Sequence, residues 1–414
     1  MEKIKKKGLV IFILGLLSAI GPFSTDMYLP GFKDIAESLD STVSHIGLSL
    51  SSYFIGISIG QLFYGPLLDR YGRKPLIYFG LTLYIVASVI CAMVFEADQL
   101  IAMRFFQALG GCVGMVASRA LVRDLFPVEE NAKIFSYLML VIAISPLVAP
   151  TFGGFVTAYF GWEAIFICLA LIAAATLIGV IVWVPDGNEP DTELSLKPRP
   201  IIKKYIRVSK VPKFYTYALV SAISSSGLYA YIAGSPTLFY DIFEVSKKQY
   251  VVIFAIIALG MTFANQINTF LLRRFSSEII SFTALLFQIG AGLILVFSTY
   301  FSWLNLYTTI AAIWIYMATQ GFVYPNTSAL SIAPFSRSAG TASALMGAVQ
   351  LGIGAITTAI VSAATTDSAL PMAMAILICG TTSTLILLAG RKRVEENPYL
   401  EEAYTGSRVA KTES

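Results

Sequence analysis

Charge is scarce in this chain. Asp, Glu, Lys and Arg together make up 13% of its 414 residues, there is a single histidine, and there are four cysteines. With a mean hydropathy of +0.74, such a composition excludes a soluble globular domain of this size. Cys91, Cys112, Cys168 and Cys379 each stand alone within an apolar run, so no disulfide framework or metal cluster is expected. His45 is isolated too, which leaves no His-centred catalytic or metal-ligating set. The formal charge of +4 comes from short loops and implies no nucleic-acid partner.

What the chain has in quantity is long apolar runs. Its length divides into twelve units of about 34 residues, each room for a spanning helix of roughly 20 residues and a turn. Helices are expected near 8–30, 45–66, 76–95, 98–121, 134–158, 162–184, 214–238, 249–271, 278–298, 303–325, 341–363 and 370–390. In lipid the backbone must satisfy its own polar groups, so runs of this length read as helices. Met1–Lys7 followed by an apolar stretch imitates a leader, but no small-x-small site follows and the stretch reads as an uncleaved first span.

Cations set the orientation. They cluster at Met1–Lys7, Arg70–Lys74, Arg119–Lys133, Lys197–Lys213, Arg273–Arg274, Arg337 and Arg391–Lys411, whereas the alternate loops hold only Lys33, Lys247 and Lys248. The positive-inside rule then places both termini and the central loop in the cytoplasm. The expected organisation is a six-helix bundle over 1–184, a linker over 185–213, a second bundle over 214–390 and a tail over 391–414. A short amphipathic helix is expected around Lys203–Lys210.

Ionisable residues inside spans are costly and mark function by default. Few exist. Asp26 lies about 6 Å in from Pro30 and Arg104 about 9 Å in from Asp98, at 1.5 Å per residue. They share a depth, so three arrangements stay open: a proton-coupling acid beside a cation, a permanent ion pair that staples two helices, or an Asp26 at the outer edge fully in water. Burial disfavours a charged carboxylate and a neighbouring guanidinium favours it. The last six spans hold no acid or base in their interiors. Their polar content is amides, hydroxyls and tyrosines, and a cavity lined by Phe23, Thr25, Tyr53, Gln107, Tyr229, Tyr231, Tyr316 and Gln350 suits amphipathic neutral or monocationic molecules.

Two further segments carry pattern. Gly60-Gln61-Leu62-Phe63-Tyr64-Gly65-Pro66-Leu67-Leu68-Asp69-Arg70-Tyr71-Gly72-Arg73-Lys74-Pro75 packs one acid and three cations into a tight turn between two spans. Asp69 is expected to accept N–H groups at a helix start, and Arg73 to pair with Asp124. In the fifth span Pro146 and Pro150 bend the helix, Ala149 keeps a small side chain between them, and Gly153 and Gly154 admit a neighbouring backbone.

The turn, read as G-x-L-x-x-G-P-L-x-D-R-x-G-R-K-P, resembles the loop between helices 2 and 3 of the major facilitator superfamily. With Ser24-Thr25-Asp26-Met27-Tyr28-Leu29-Pro30, Met103-Arg104-Phe105-Phe106-Gln107, Arg119–Asp124 and Ala149-Pro150, the whole chain is similar to the bacterial Bcr/CflA drug-resistance transporters. The resemblance implies a proton/drug antiporter of the inner membrane, without cofactor or metal and monomeric, that exports small drugs in exchange for protons by alternating access. It implies a coupling site at Asp26 and Arg104. It makes Gly65, Asp69, Arg70, Gly72, Arg73 and Asp124 a cytoplasmic latch between the bundles. Pro146, Ala149, Pro150, Gly153 and Gly154 correspond to the antiporter motif G-P-x-x-G-G, with Ala149 in place of its first glycine. Some relatives carry a second acid where this chain has Ser18, so Asp26 is expected to act alone. The competing reading is a facilitator or exporter of an endogenous metabolite such as an amino acid, with a membrane enzyme or receptor behind it.

Overall fold

The computed structural model describes residues 6–191, 196–301, 303, 305–335, 339–364 and 368–396. Residues 1–5 of the first cation cluster, Arg337, and 397–414 of the expected tail lie outside them. The described residues form helices and turns with no strand. In chain order they are α1 (Lys7–Asp26), α2 (Phe32–Ser38), α3 (Val43–Tyr71), α4 (Arg73–Cys91), α5 (Ala97–Leu125), α6 (Val128–Phe160), α7 (Glu163–Trp183), α8 (Pro198–Ser209), α9 (Pro212–Pro236), α10 (Lys247–Leu271), α11 (Ser277–Tyr300), α12 (Leu306–Ile332), α13 (Ala339–Ala364) and α14 (Leu370–Glu396).

A long helix stands at each expected span. Eleven helices are apolar and long enough to cross a membrane. At the remaining expected span stands α9, whose serines Ser221, Ser224, Ser225, Ser226 and Ser235 are all buried. Its side chains meet other helices instead of lipid, so it can be less apolar and still fit. Conversely, large apolar side chains such as Phe63, Phe79, Phe155 and Phe287 point outward, as a lipid-facing surface requires.

Helix ends follow local chemistry. Thr42 accepts from the His45 N–H at the start of α3, and Ser246 and Gln249 form a capping box at the start of α10. The charged turn is tighter than expected. α3 runs on through Asp69 and Arg70, and α4 begins at Arg73, so the connection is Gly72 alone. Gly72 has φ +88°, a conformation that a side chain would strain.

Residues 7–183 and 212–396 each contain six of the long helices. Within the first set α5 packs on α3 and α4, and α1 on α5, α6 and α7; within the second, α9 packs on α12, α13 and α14. Two seams join the sets. α3 runs along α13, where Ser44 donates to the Ser362 carbonyl and Ser58 to the Ala348 carbonyl at 2.7 Å, and it also meets α9, with the Phe54 ring 4.7 Å from that of Tyr229. α6 meets α10 at Gly154 and Val251.

Candidate transport site

Asp26 closes α1 and is 6% exposed. Its carboxylate accepts from Thr25 Oγ1 at 3.2 Å and from Ser145 Oγ at 3.3 Å. Thr25 Oγ1 also lies 2.9 Å from the Pro22 carbonyl. One hydroxyl hydrogen cannot serve both acceptors, so Asp26 is thinly solvated by protein. Ser145 comes from α6, one turn before Ala149. Further along that helix Gly153 touches the Met27 carbonyl so closely that a Cβ would overlap it. The small residue of the fifth span thus presses α6 onto the end of α1 that carries the acid.

Arg104 is fully buried, and no ion pair joins it to Asp26. Its Nη1 donates to Gln107 Oε1 at 2.5 Å and its Nη2 to the Ser24 carbonyl at 2.9 Å, while its Nε has no partner. The guanidinium lies over the Tyr53, Tyr28 and Phe166 rings, 4.2, 4.7 and 5.8 Å from their centroids. The last carbonyls of a helix have no donor within it, and the end of its dipole favours a cation. Arg104 is therefore a cap on α1, held by aromatic faces. The staple arrangement is not formed. Depth along a span is readable from sequence, but the direction in which a side chain leaves its helix is not.

Gln107 serves Arg104 and donates from Nε2 to Ser88 Oγ at 2.7 Å. Tyr53, also fully buried, shields the same guanidinium. Phe23 departs from its expected place. It borders a space of about 20 Å³ with Leu16, Ala19, Ile20, Tyr84, Leu169 and Ile172, within the first helix set and too small for a solute. Ser18, where relatives can hold a second acid, bonds Ser118 Oγ at 2.7 Å.

In the second set the expected residues separate. Tyr229, half-buried, meets Phe54 and Gly354 at the seam between the sets. Tyr231 stacks on Phe254 at 5.9 Å with its hydroxyl unpartnered. Tyr316 donates to the Ser224 carbonyl at 3.0 Å, inside its own bundle. There Gln320 Nε2 also donates to that carbonyl at 2.7 Å, and Ser224 Oγ donates to Gln288 Oε1 at 3.0 Å. Tyr316 thus belongs to a packing network. Gln350 is half-buried on α13.

At the charged turn Arg73 Nε donates to Asp124 Oδ2 at 2.9 Å and Arg73 Nη1 to Asp69 Oδ1 at 2.6 Å. The expected pair with Asp124 is present. Asp69 accepts from Arg73 one turn on rather than from backbone N–H groups. Asp124 also takes the N–H and Nδ2 of Asn188, at 3.2 and 2.9 Å. Lys74 lies 3.1 Å from Asp186, and the Asp191 N–H donates to the Asp69 carbonyl at 2.9 Å. Asp69, Arg73 and Asp124 hold the start of the central linker, and among the described residues their bonds stay within the first helix set and the linker. A Cβ on Gly65 would meet nothing within 4 Å.

Two long helix sets, an interior acid and this turn correspond to one known architecture. The sequence profile of the Major Facilitator Superfamily matches residues 14–359. The chain belongs to that superfamily. It is similar to a bicyclomycin resistance protein homolog of Haemophilus influenzae, 29% identical over 93% of this chain and 96% of that one. It is similar also to a chloramphenicol resistance protein of Pseudomonas aeruginosa, 28% identical over 91% and 88%. Among solved structures, a D-xylose–proton symporter shares the fold with a TM-score of 0.72, at 14% identity over 94% of this chain and 98% of that one. As a member of this superfamily the chain is a multi-pass inner-membrane transporter.

Proposed function

We propose that this transporter exports small amphipathic drugs or toxic compounds, of the bicyclomycin or chloramphenicol kind, in exchange for protons by alternating access. The observation that carries the reading is Asp26: a buried acid in a span, contacted by two hydroxyls and, among the described residues, by no cation. A permanent ion pair would lock a carboxylate in its charged form. Without one, the acid can take up and release a proton as water access changes. The relatives named for drug resistance support the cargo class.

Arg104 has a positioning role in this scheme. It caps the end of α1 and so fixes where Asp26 stands. Gly153 and Ser145 on α6 set the other wall, so any tilt of α6 is felt at the acid. Tyr229, at the seam between the helix sets, is a contact for an amphipathic cargo, and Gln350 is a second on α13. The linker held by Asp69, Arg73 and Asp124 governs opening on the face expected to be cytoplasmic. The transporter works as a monomer and needs no cofactor.

The deciding experiment expresses the chain in bacteria lacking their own efflux pumps and follows accumulation of a labelled phenicol, with and without a protonophore. Reduced accumulation that the protonophore restores is expected. Reduced accumulation that the protonophore leaves unchanged would overturn proton coupling. Unaltered accumulation with folded protein in the membrane would overturn the phenicol as cargo.

A further inference from the structure

Helix α8 carries three separate stripes at about 100° per residue. Ile201, Tyr205 and Val208 turn inward. Val208 is buried in a cluster with Val211, Phe214, Phe335 and Met346. Tyr205 donates its hydroxyl to the Leu62 carbonyl of α3 at 2.9 Å. That carbonyl is available because the residue four positions on is Pro66, which has no N–H to offer. The helix is thereby fixed in rotation.

Its other two stripes face outward. Ile202 and Ile206 are 52% and 47% exposed, side by side on one edge. Next to them Arg199, Lys203, Lys204, Arg207 and Lys210 form an exposed arc. No acid occurs between Pro198 and Val211, and among the described residues none of these five cations has an ion-pair partner. Against water alone, the exposed isoleucines would be unfavourable. Beside a bilayer, an apolar edge flanked by cations is the pattern of a helix that lies in the interface. α8 is placed for that: it touches α3 near Leu62 and leads within three residues into α9, on the face where the charged turn lies.

We propose that α8 is a docking surface for anionic phospholipid headgroups, with Ile202 and Ile206 entering the acyl boundary and the basic arc meeting the phosphates. Each cation near an anionic surface strengthens such binding roughly fivefold. Because Val208 holds α8 to the second helix set and Tyr205 holds it to α3, bound lipid bears on both sets at once.

The test uses the full chain in nanodiscs, with Ile202→Cys carrying an environment-sensitive fluorophore in a Cys168→Ser background. Emission is expected to shift to the blue as phosphatidylglycerol replaces phosphatidylcholine, and to revert at high salt. The variant K203Q/K204Q/R207Q is expected to need at least roughly tenfold more phosphatidylglycerol for the same shift, while K203R/K204R/R207K follows the parent. Emission indifferent to phosphatidylglycerol, or a glutamine variant matching the parent, would overturn the proposal. So would an equal shift caused by inositol hexakisphosphate in phosphatidylcholine discs, which would assign the patch to a soluble polyanion.

Discussion

Ser145 reaches Asp26 across the contact between α6 and α1, its hydroxyl 3.3 Å from the carboxylate. The acid and the helix with the antiporter-like prolines are thus one unit. Asp26→Asn keeps the shape and removes the exchangeable proton. We expect it to abolish drug-driven proton release from detergent-solubilised protein while leaving the thermal unfolding profile intact. Undiminished release would take Asp26 out of the mechanism.

The two glycines at Gly65 and Gly153 separate a sequence pattern from a packing need. A Cβ at Gly153 collides with the Met27 carbonyl, whereas one at Gly65 meets open space. Gly153→Ala is expected to destabilise by about 1–3 kcal/mol, the usual range for overpacking, and to lower transport. Gly65→Ala is expected to leave melting in detergent unchanged.

Arg73 serves two carboxylates at once, a geometry that a lysine ammonium cannot reproduce. Arg73→Lys is expected to behave closer to Arg73→Ala than to the parent. Either variant should free the linker start, read as faster maleimide labelling of a cysteine placed at the exposed neighbour Glu189. Unchanged labelling would show that Asn188 is held without Arg73.

Tyr205 and Pro66 are coupled through a single carbonyl. Tyr205→Phe leaves the Leu62 oxygen without a donor and is expected to cost about 1 kcal/mol. In a Pro66→Ala background the helix supplies its own N–H, and the same change should be nearly silent. A double-mutant cycle on melting measures the difference; equal costs in both backgrounds would refute the link.

The long helices were readable because lipid leaves the backbone no alternative, and even the short helix in the linker was visible as an apolar and basic alternation. α9 was found in spite of its serines. Less legible was everything that depends on rotation about a helix axis. Arg104 and Asp26 share a depth yet face different partners, and Phe23 faces α4 and α7 instead of the second helix set. Nothing local in Asn188 announces that it will bind Asp124, because that contact requires the linker to fold back onto the charged turn. Ser145 could have been flagged: it lies four residues before Ala149, on the face that meets α1.

Asp26 is the acid proposed to carry the proton, and the interiors of the last six spans add no other. If the proposed exchange runs through Asp26 alone, one proton per cargo molecule, the nature of the cargo decides the electrical outcome. An uncharged molecule leaving as one proton enters moves one elementary charge inward per cycle, a step that the membrane potential drives with roughly 2.3 kcal/mol per 100 mV. A monovalent cation leaving in the same exchange moves no net charge, and only the pH difference drives it. The same pump would therefore be voltage-driven for one drug and voltage-blind for another.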